Sequence, residues 1–133
     1  MDCLFCKIIN HEIPNYTIYE DDQVLAFLDI SQATKGHTLV VPKKHSDDIT
    51  FASKEDLEHL IIVAQKIAQR MLKTLPGIIG VNIINNCKEG AGQAILHTHI
   101  HVIPRYKGDD LVIKNVDHSN QVDLAALAKT LKF

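Results

Sequence analysis

Apolar residues recur along the chain with two periods, and each period assigns its own kind of element. From Ser53 onward Leu57, Leu60, Ile61, Ala64, Ile67, Ala68, Met71 and Leu72 return at spacings of three and four, the repeat of one helical face. Ser53 with Asp56 supplies the N-terminal cap, and Pro76-Gly77 stops the helix. Elsewhere the apolar runs are short and β-branched, as strands require. Residues 16–19 and 24–28 flank the turn-prone Glu20-Asp21-Asp22-Gln23 and predict a hairpin. Further strands are predicted over 37–42, ended by Pro42, over 78–84, interrupted by Gly80, and over 94–104. Asp2 is placed to cap a short helix over 6–9, ended by Asn10 and Pro14. Residues 123–131 predict a last amphipathic helix with Leu124, Leu127, Ala128 and Leu131 on one face. Strands outnumber helices and partly follow one another, which predicts an α+β fold: an antiparallel β-sheet with one long helix packed on it, plus short N- and C-terminal helices.

With 133 residues and no linker, repeat or low-complexity tract, the chain is expected to form a single domain over 1–133. Its 14 basic and 16 acidic side chains leave a net charge of −2, so no long-range field draws it to nucleic acid or an anionic membrane. No apolar run approaches the roughly 20 residues of a membrane span, and Met1-Asp2-Cys3 lacks the basic start of a signal peptide. The expected location is cytoplasmic. Three cysteines do not make a secreted disulfide framework, so reduced thiols are expected.

The chemistry concentrates in His97-Thr98-His99-Ile100-His101-Val102-Ile103-Pro104. Side chains on a strand alternate between faces, so three imidazoles line one side while Ile100 and Val102 reach the core on the other. A slip of one residue would bury the polar rings and expose the aliphatics, so the register enforces itself. A single histidine is usually a bystander, but three in alternation point to a site, either catalytic or metal-binding. His11, His59 and His118 read as surface residues, and Cys87 as a free thiol.

This segment resembles the signature of the histidine-triad (HIT) family, His-φ-His-φ-His-φ-φ with φ apolar, with only Thr98 off pattern. Gly36-His37-Thr38-Leu39-Val40-Val41-Pro42-Lys43-Lys44-His45 resembles the family's second signature. Leu25-Ala26-Phe27-Leu28-Asp29-Ile30 resembles its nucleoside-binding strand, and Gly92-Gln93 also fits. Within the family the chain is most similar to the bacterial branch related to Hint-type nucleotide phosphoramidases.

The resemblance implies hydrolysis or transfer of an AMP-type nucleotide from a phosphoramidate, or from a dinucleoside polyphosphate, through a covalent nucleotidyl-histidine and with no cofactor needed for the chemistry. It implies His99 as the nucleophile, oriented by the main-chain oxygen of His97, with His101 and His37 completing the phosphate environment. It places the base among Phe5, Ile8, Phe27 and Ile30, the ribose on Asp29, and the phosphate near Asn86 and Gln93, His99 and His101. Read as residues alone, the apolar four also suit a core, and Asp29 and Asn86 suit turns. Ala94 stands where many relatives have serine, removing one hydrogen bond to phosphate or leaving group. That loss motivates the alternative of a nucleotide-binding regulatory module with little turnover. A structural zinc held by Cys3, Cys6, His45 and His97 is also implied, although the Cys-X-X-Cys spacing alone equally suits a free or redox pair. Homodimerisation through a continuous sheet is the partner the resemblance implies.

Overall fold

The computed structural model describes residues 2–133. Among them five strands form one antiparallel sheet in the order β1-β2-β3-β5-β4, with β1 at Thr17–Glu20, β2 at Val24–Leu28, β3 at Thr38–Pro42, β4 at Ile78–Ile84 and β5 at Ile100–Tyr106. The helices are α1 at Leu4–Ile9, α2 at Lys54–Thr74 and α3 at Leu124–Leu131. The α+β expectation holds. No described helix is long and apolar enough to cross a membrane.

The central strands are apolar on both faces because both faces are covered. Val24 and Ala26 of β2, Val40 of β3, and Ile100 and Val102 of β5 pack against Leu60, Val63, Ala64, Ile67 and Met71 of α2. The alternate residues Leu25, Phe27, Leu39 and Val41 pack on the opposite side against Cys3, Phe5 and Ile8. The register Leu25↔Val41, Ala26↔Val40 and Phe27↔Leu39 stacks partners that share a face, so one pairing satisfies both cores. Gly36 delivers the chain into β3. It has φ +104°, and a Cβ there would lie 3.0 Å from Pro104 Cγ and 3.1 Å from Leu75 Cδ1.

Three local expectations need correction. Helix α1 is capped by Cys3, whose Sγ accepts the Cys6 N–H at 3.3 Å, because Cys3 has the extended backbone of a cap; Asp2 instead pairs with Lys7 at 2.9 Å. Strand β5 begins at Ile100 rather than 94, since the preceding backbone bonds elsewhere: Thr98 N–H donates to Ser46 O at 2.8 Å and His97 N–H to Ile95 O at 2.9 Å. It also runs through Pro104, opposite Val81, to Tyr106. His59 is half-buried and bonded to Asp21 at 2.5 Å, whereas His11 and His118 are exposed as expected. Helix α3 forms where its periodicity predicts, with Asp123 as its cap, but Leu124, Leu127 and Leu131 remain exposed.

Leu60 is fully buried between α2 and the sheet. Leu60→Ala should cost about 2–5 kcal/mol through lost transfer energy and the cavity left behind. The check is urea unfolding: a lower midpoint with an unchanged slope is expected, and an unchanged midpoint would contradict this packing.

Candidate active site

The three imidazoles share one side of the chain although His101 alone of them lies within β5. His101 sits opposite Leu39 of β3 and Ile84 of β4, and so faces the α1 side of the sheet. The ring of Phe5 meets His97 edge-on at 5.9 Å and His99 at 5.1 Å, and the His99 and His101 rings are 5.0 Å apart. Ile100 and Val102 take the other face, in the α2 core. Thr98 is buried with its hydroxyl on Ser46 Oγ at 2.7 Å.

Main-chain groups assign the tautomers. A carbonyl only accepts, so His99 Nδ1–H donates to His97 O at 2.6 Å, which leaves the lone pair on Nε2. Ala33 N–H donates to His37 Nδ1 at 3.1 Å, so the hydrogen of neutral His37 is on Nε2 and donates to His101 Nδ1 at 2.8 Å. His101 therefore carries its own hydrogen on Nε2. Asp29 Oδ2 lies 3.6 Å from His37 Nε2 on the same side. The cluster thus presents one nucleophilic nitrogen, on His99, beside one N–H donor, on His101. Burial holds His99 below the ordinary imidazole range. Burial first, then the neighbouring His99 and His37, pushes His101 down to about 4.

The His99 and His101 rings border a cavity of about 490 Å³. Phe5, Ile8, Phe27, Asp29, Ile30 and Asn86 all line it together with His99 and His101. Phe5 and Phe27 form an edge-to-face wall at 5.7 Å, while Ile30 is 91% exposed and stands at the rim. Asp29 Oδ1 caps the turn by accepting Ser31 N–H at 2.8 Å, and Oδ2 remains on the cavity side near His37. Gly92 and Ala94 complete the wall beside Asn86, and no Lys or Arg is among the described lining residues.

Gln93, which the resemblance sets beside the phosphate, does not line the cavity. It is buried outside the lining, with Oε1 accepting Lys88 N–H at 2.8 Å and Nε2 donating to Asp47 O at 2.7 Å and Ile95 O at 2.9 Å. Its amide is consumed in bracing the loop. Sequence reasoning missed Asn85, whose Nδ2 donates to His99 O at 2.9 Å just beyond the end of β4. An asparagine beside another in a polar loop looks like a turn former, and nothing in the pattern marks it otherwise.

On the far side of His97 lies a second cluster. The ligand-type atoms of Cys3, Cys6, His45 and His97 all fall within 4.8 Å of one another. His97 Nε2 donates to Pro42 O at 2.7 Å and His45 Nε2 to Asp47 Oδ1 at 2.8 Å, so both Nδ1 lone pairs point inward, 3.2 Å apart. Two facing lone pairs repel unless a cation lies between them. Sulfur–nitrogen distances are 3.4 Å from Cys3 to His97, 3.4 Å from Cys6 to His45 and 3.6 Å from Cys6 to His97. A tetrahedral zinc shell implies edges of about 3.3 Å for N···N and about 3.6 Å for S···N. Burial, followed by the Cys3 sulfur, pushes the Cys6 thiol up to about 11, so a thiolate there needs a cation beside it. The donor set fits a closed Cys₂His₂ site.

The chain is similar to known proteins over most of its length. An uncharacterised HIT-like protein of Methanocaldococcus jannaschii is 48% identical over 130 residues, covering 98% of both chains. The crystal structure of a HIT family protein from Bacillus anthracis matches with TM-score 0.88 and 44% identity, covering 97% of this chain and 92% of that one. A Zn-bound histidine triad family protein from Mycobacterium smegmatis matches with TM-score 0.80 and 38% identity over 98% and 96% of the two chains. The HIT domain matches residues 10–108, so the chain belongs to the HIT family, part of a superfamily of nucleotide-binding hydrolases and transferases.

Proposed function

We propose that this protein hydrolyses nucleoside 5′-phosphoramidates of the AMP type through a nucleotidyl intermediate on His99. The observation that carries this reading is the tautomer set of the cluster: His99 Nδ1–H is held by His97 O at 2.6 Å, which leaves Nε2 as the free nucleophilic nitrogen at the cavity wall. The base rests between Phe5, Ile8 and Phe27 with Ile30 at its edge, the ribose hydroxyls donate to Asp29, and the phosphate lies against His99, His101 and Asn86. His99 Nε2 attacks phosphorus and forms a P–N bond as the bond to the leaving nitrogen breaks. His101 Nε2–H lies along the path by which the departing amine takes its proton from solvent. Water then attacks phosphorus and gives up a proton to solvent, the P–His99 bond breaks, AMP is released and the neutral ring is regenerated.

The cavity's formal charge favours a single phosphate. Its described lining holds one carboxylate, Asp29, and no Lys or Arg, so nothing there offsets the added negative charge of a polyphosphate chain. Phosphoramidates therefore come before dinucleoside polyphosphates. Ala94 lies at the same wall and offers no hydroxyl to the phosphate. This is the observation that keeps a nucleotide-binding role with slow turnover as the second reading.

We also propose that Cys3, Cys6, His45 and His97 hold a structural zinc. The ion would supply charge to keep both sulfurs as thiolates and tie α1 to the His97 segment; no step of the hydrolysis passes through it. Its support is the inward pair of Nδ1 lone pairs 3.2 Å apart.

His99→Ala should lower kcat/KM on an adenosine phosphoramidate by at least about 10³-fold, and rapid acid quenching of the unsubstituted protein should trap a nucleotidyl adduct. Tight AMP binding with neither adduct nor turnover would favour the binding-module reading.

Protonating His101 would put a hydrogen on Nδ1 and break its bond from His37. Because His101 is held down to about 4, the neutral ring prevails above about pH 5, and kcat/KM should stay level from pH 8 to pH 6. Loss of rate should come only as pH falls through the lowered value. An acid midpoint at or above 6.5 would contradict this assignment.

Elemental analysis should find one zinc per chain, and Cys6→Ser should remove it while lowering the thermal midpoint. Stoichiometric retention of zinc by that variant would rule out this ligand set.

A further inference from the structure

Helix α1 does two jobs on neighbouring residues. Cys3 and Cys6 turn toward His45 and His97, whereas Phe5 and Ile8 form the wall of the cavity that we read as the nucleotide site. The two sets are coupled through short contacts. Phe5 packs edge-on against His97, His99 and Phe27, and His97 O orients the His99 ring. A separate cavity of about 430 Å³, lined by Cys3, His45, Asp47 and Leu96 among others, reaches the sulfur cluster from outside, and Cys6 is itself half-buried. A small solute can therefore approach Cys3 from this side. Cys6 N–H donates to Cys3 Sγ at 3.3 Å, which shows how near the two positions lie. This Cys-X-X-Cys spacing is one in which disulfides open and close.

We propose that Cys3 and Cys6 form a peroxide-sensitive clasp on the nucleotide cavity: oxidised to a disulfide, they let go of His45 and His97, loosen α1 and weaken nucleotide binding. The inference rests on the nucleotide reading of the cavity. One thiolate attacks a peroxide oxygen, forming a sulfenic acid and releasing hydroxide. The second attacks that sulfur, forming the S–S bond and releasing a second hydroxide, so two electrons pass from the sulfurs to the peroxide. An S–S bond of about 2.05 Å draws both sulfurs away from rings that they now approach at 3.4–3.6 Å. The His45 and His97 lone pairs are then left facing each other at 3.2 Å, where only a proton taken up between them or a shift of one ring relieves the repulsion. His97 moves only by disturbing its bond to Pro42 O and the segment whose carbonyl holds His99.

The test uses the zinc-loaded full chain carrying Cys87→Ser, so that no third thiol competes. Hydrogen peroxide should release one zinc per chain to a chromogenic chelator, and the tryptic peptide 1–7 should lose two hydrogens in mass. The Kd for AMP should rise by about tenfold or more by calorimetry, and dithiothreitol with zinc should restore it. A disulfide formed with AMP affinity unchanged within twofold would overturn the clasp, as would a protein that takes up no zinc or keeps it after peroxide. If the reduced protein fails to bind AMP, the nucleotide reading falls by itself, and hydrogen exchange over residues 4–9 decides. Faster exchange after oxidation supports the clasp and unchanged exchange overturns it.

Discussion

The hydrogen bond from His99 Nδ1 to the carbonyl of His97 is the constraint from which the rest of the site takes its direction. A free imidazole has two tautomers and can flip, so a site that offers one bare ring nitrogen needs an external reference to fix which nitrogen that is. A backbone oxygen is such a reference because it cannot donate. The reference is useful only if it is itself immobile. His97 meets that condition through its ring bond to Pro42 O, through its sulfur neighbours, and through the next residue's amide on Ser46 O. A second main-chain group, Ala33 N–H, fixes the neighbouring pair by the same logic, orienting His37 and through it His101. Chemical direction at this site comes from the backbone, and the side chains inherit it.

The two faces of the sheet divide the work. Helix α2 buries Leu60, Val63, Ala64, Ile67 and Met71 against the sheet while Ile61, Ile62 and Leu72 stay exposed, and that face supplies stability. Helix α1 has six residues, too few to be stable alone, and its place depends on what its side chains reach. Phe5 and Ile8 give it an apolar hold and Cys3 and Cys6 a second one on the histidines. A short helix held from two sides can form one wall of a cavity without filling it. The cavity of about 490 Å³ lies on this face because the cover is thin.

What the sequence makes legible is what depends on near neighbours. The stripe from Leu57 to Leu72 is written at the period of a helix, and α2 lies there. The alternation at His97, His99 and His101 is legible as rings on one side, and it holds even where the segment is not yet paired in the sheet. What stays hidden depends on distant partners. The start of β5 is decided by Ser46, which takes the amide that a ladder would otherwise use. Asp21 is written as a turn residue, yet it also receives His59 from α2, and that contact exists only after the hairpin meets the helix. Phe5, Ile8 and Phe27 read equally well as core or cavity wall, and they are both. The exposed face of α3 shows the opposite limit: periodicity specifies an apolar stripe but not what covers it.

Gln93 shows how the loop and the sulfur cluster come to share one frame. Lys88 has φ +79° and ψ 155°, a region left almost entirely to glycine, at a cost on the order of 1–3 kcal/mol. Four contacts hold it there. Its amide donates to Gln93 Oε1, its carbonyl accepts the amides of Ala91 and Gln93, and its ammonium pairs with buried Asp48 at 2.7 Å. The same Gln93 donates to the carbonyl of Asp47, whose carboxylate in turn receives His45 Nε2. The loop that brings Asn86 and Gly92 to the cavity is thus locked to the residue that orients a sulfur-cluster histidine. Both ends of the Gln93 amide are spent on these bonds, so bracing the strained turn and standing outside the cavity lining have one cause. Removing the Gln93 amide would disturb both sides of His97 at once, because both are referenced to the same short stretch of backbone.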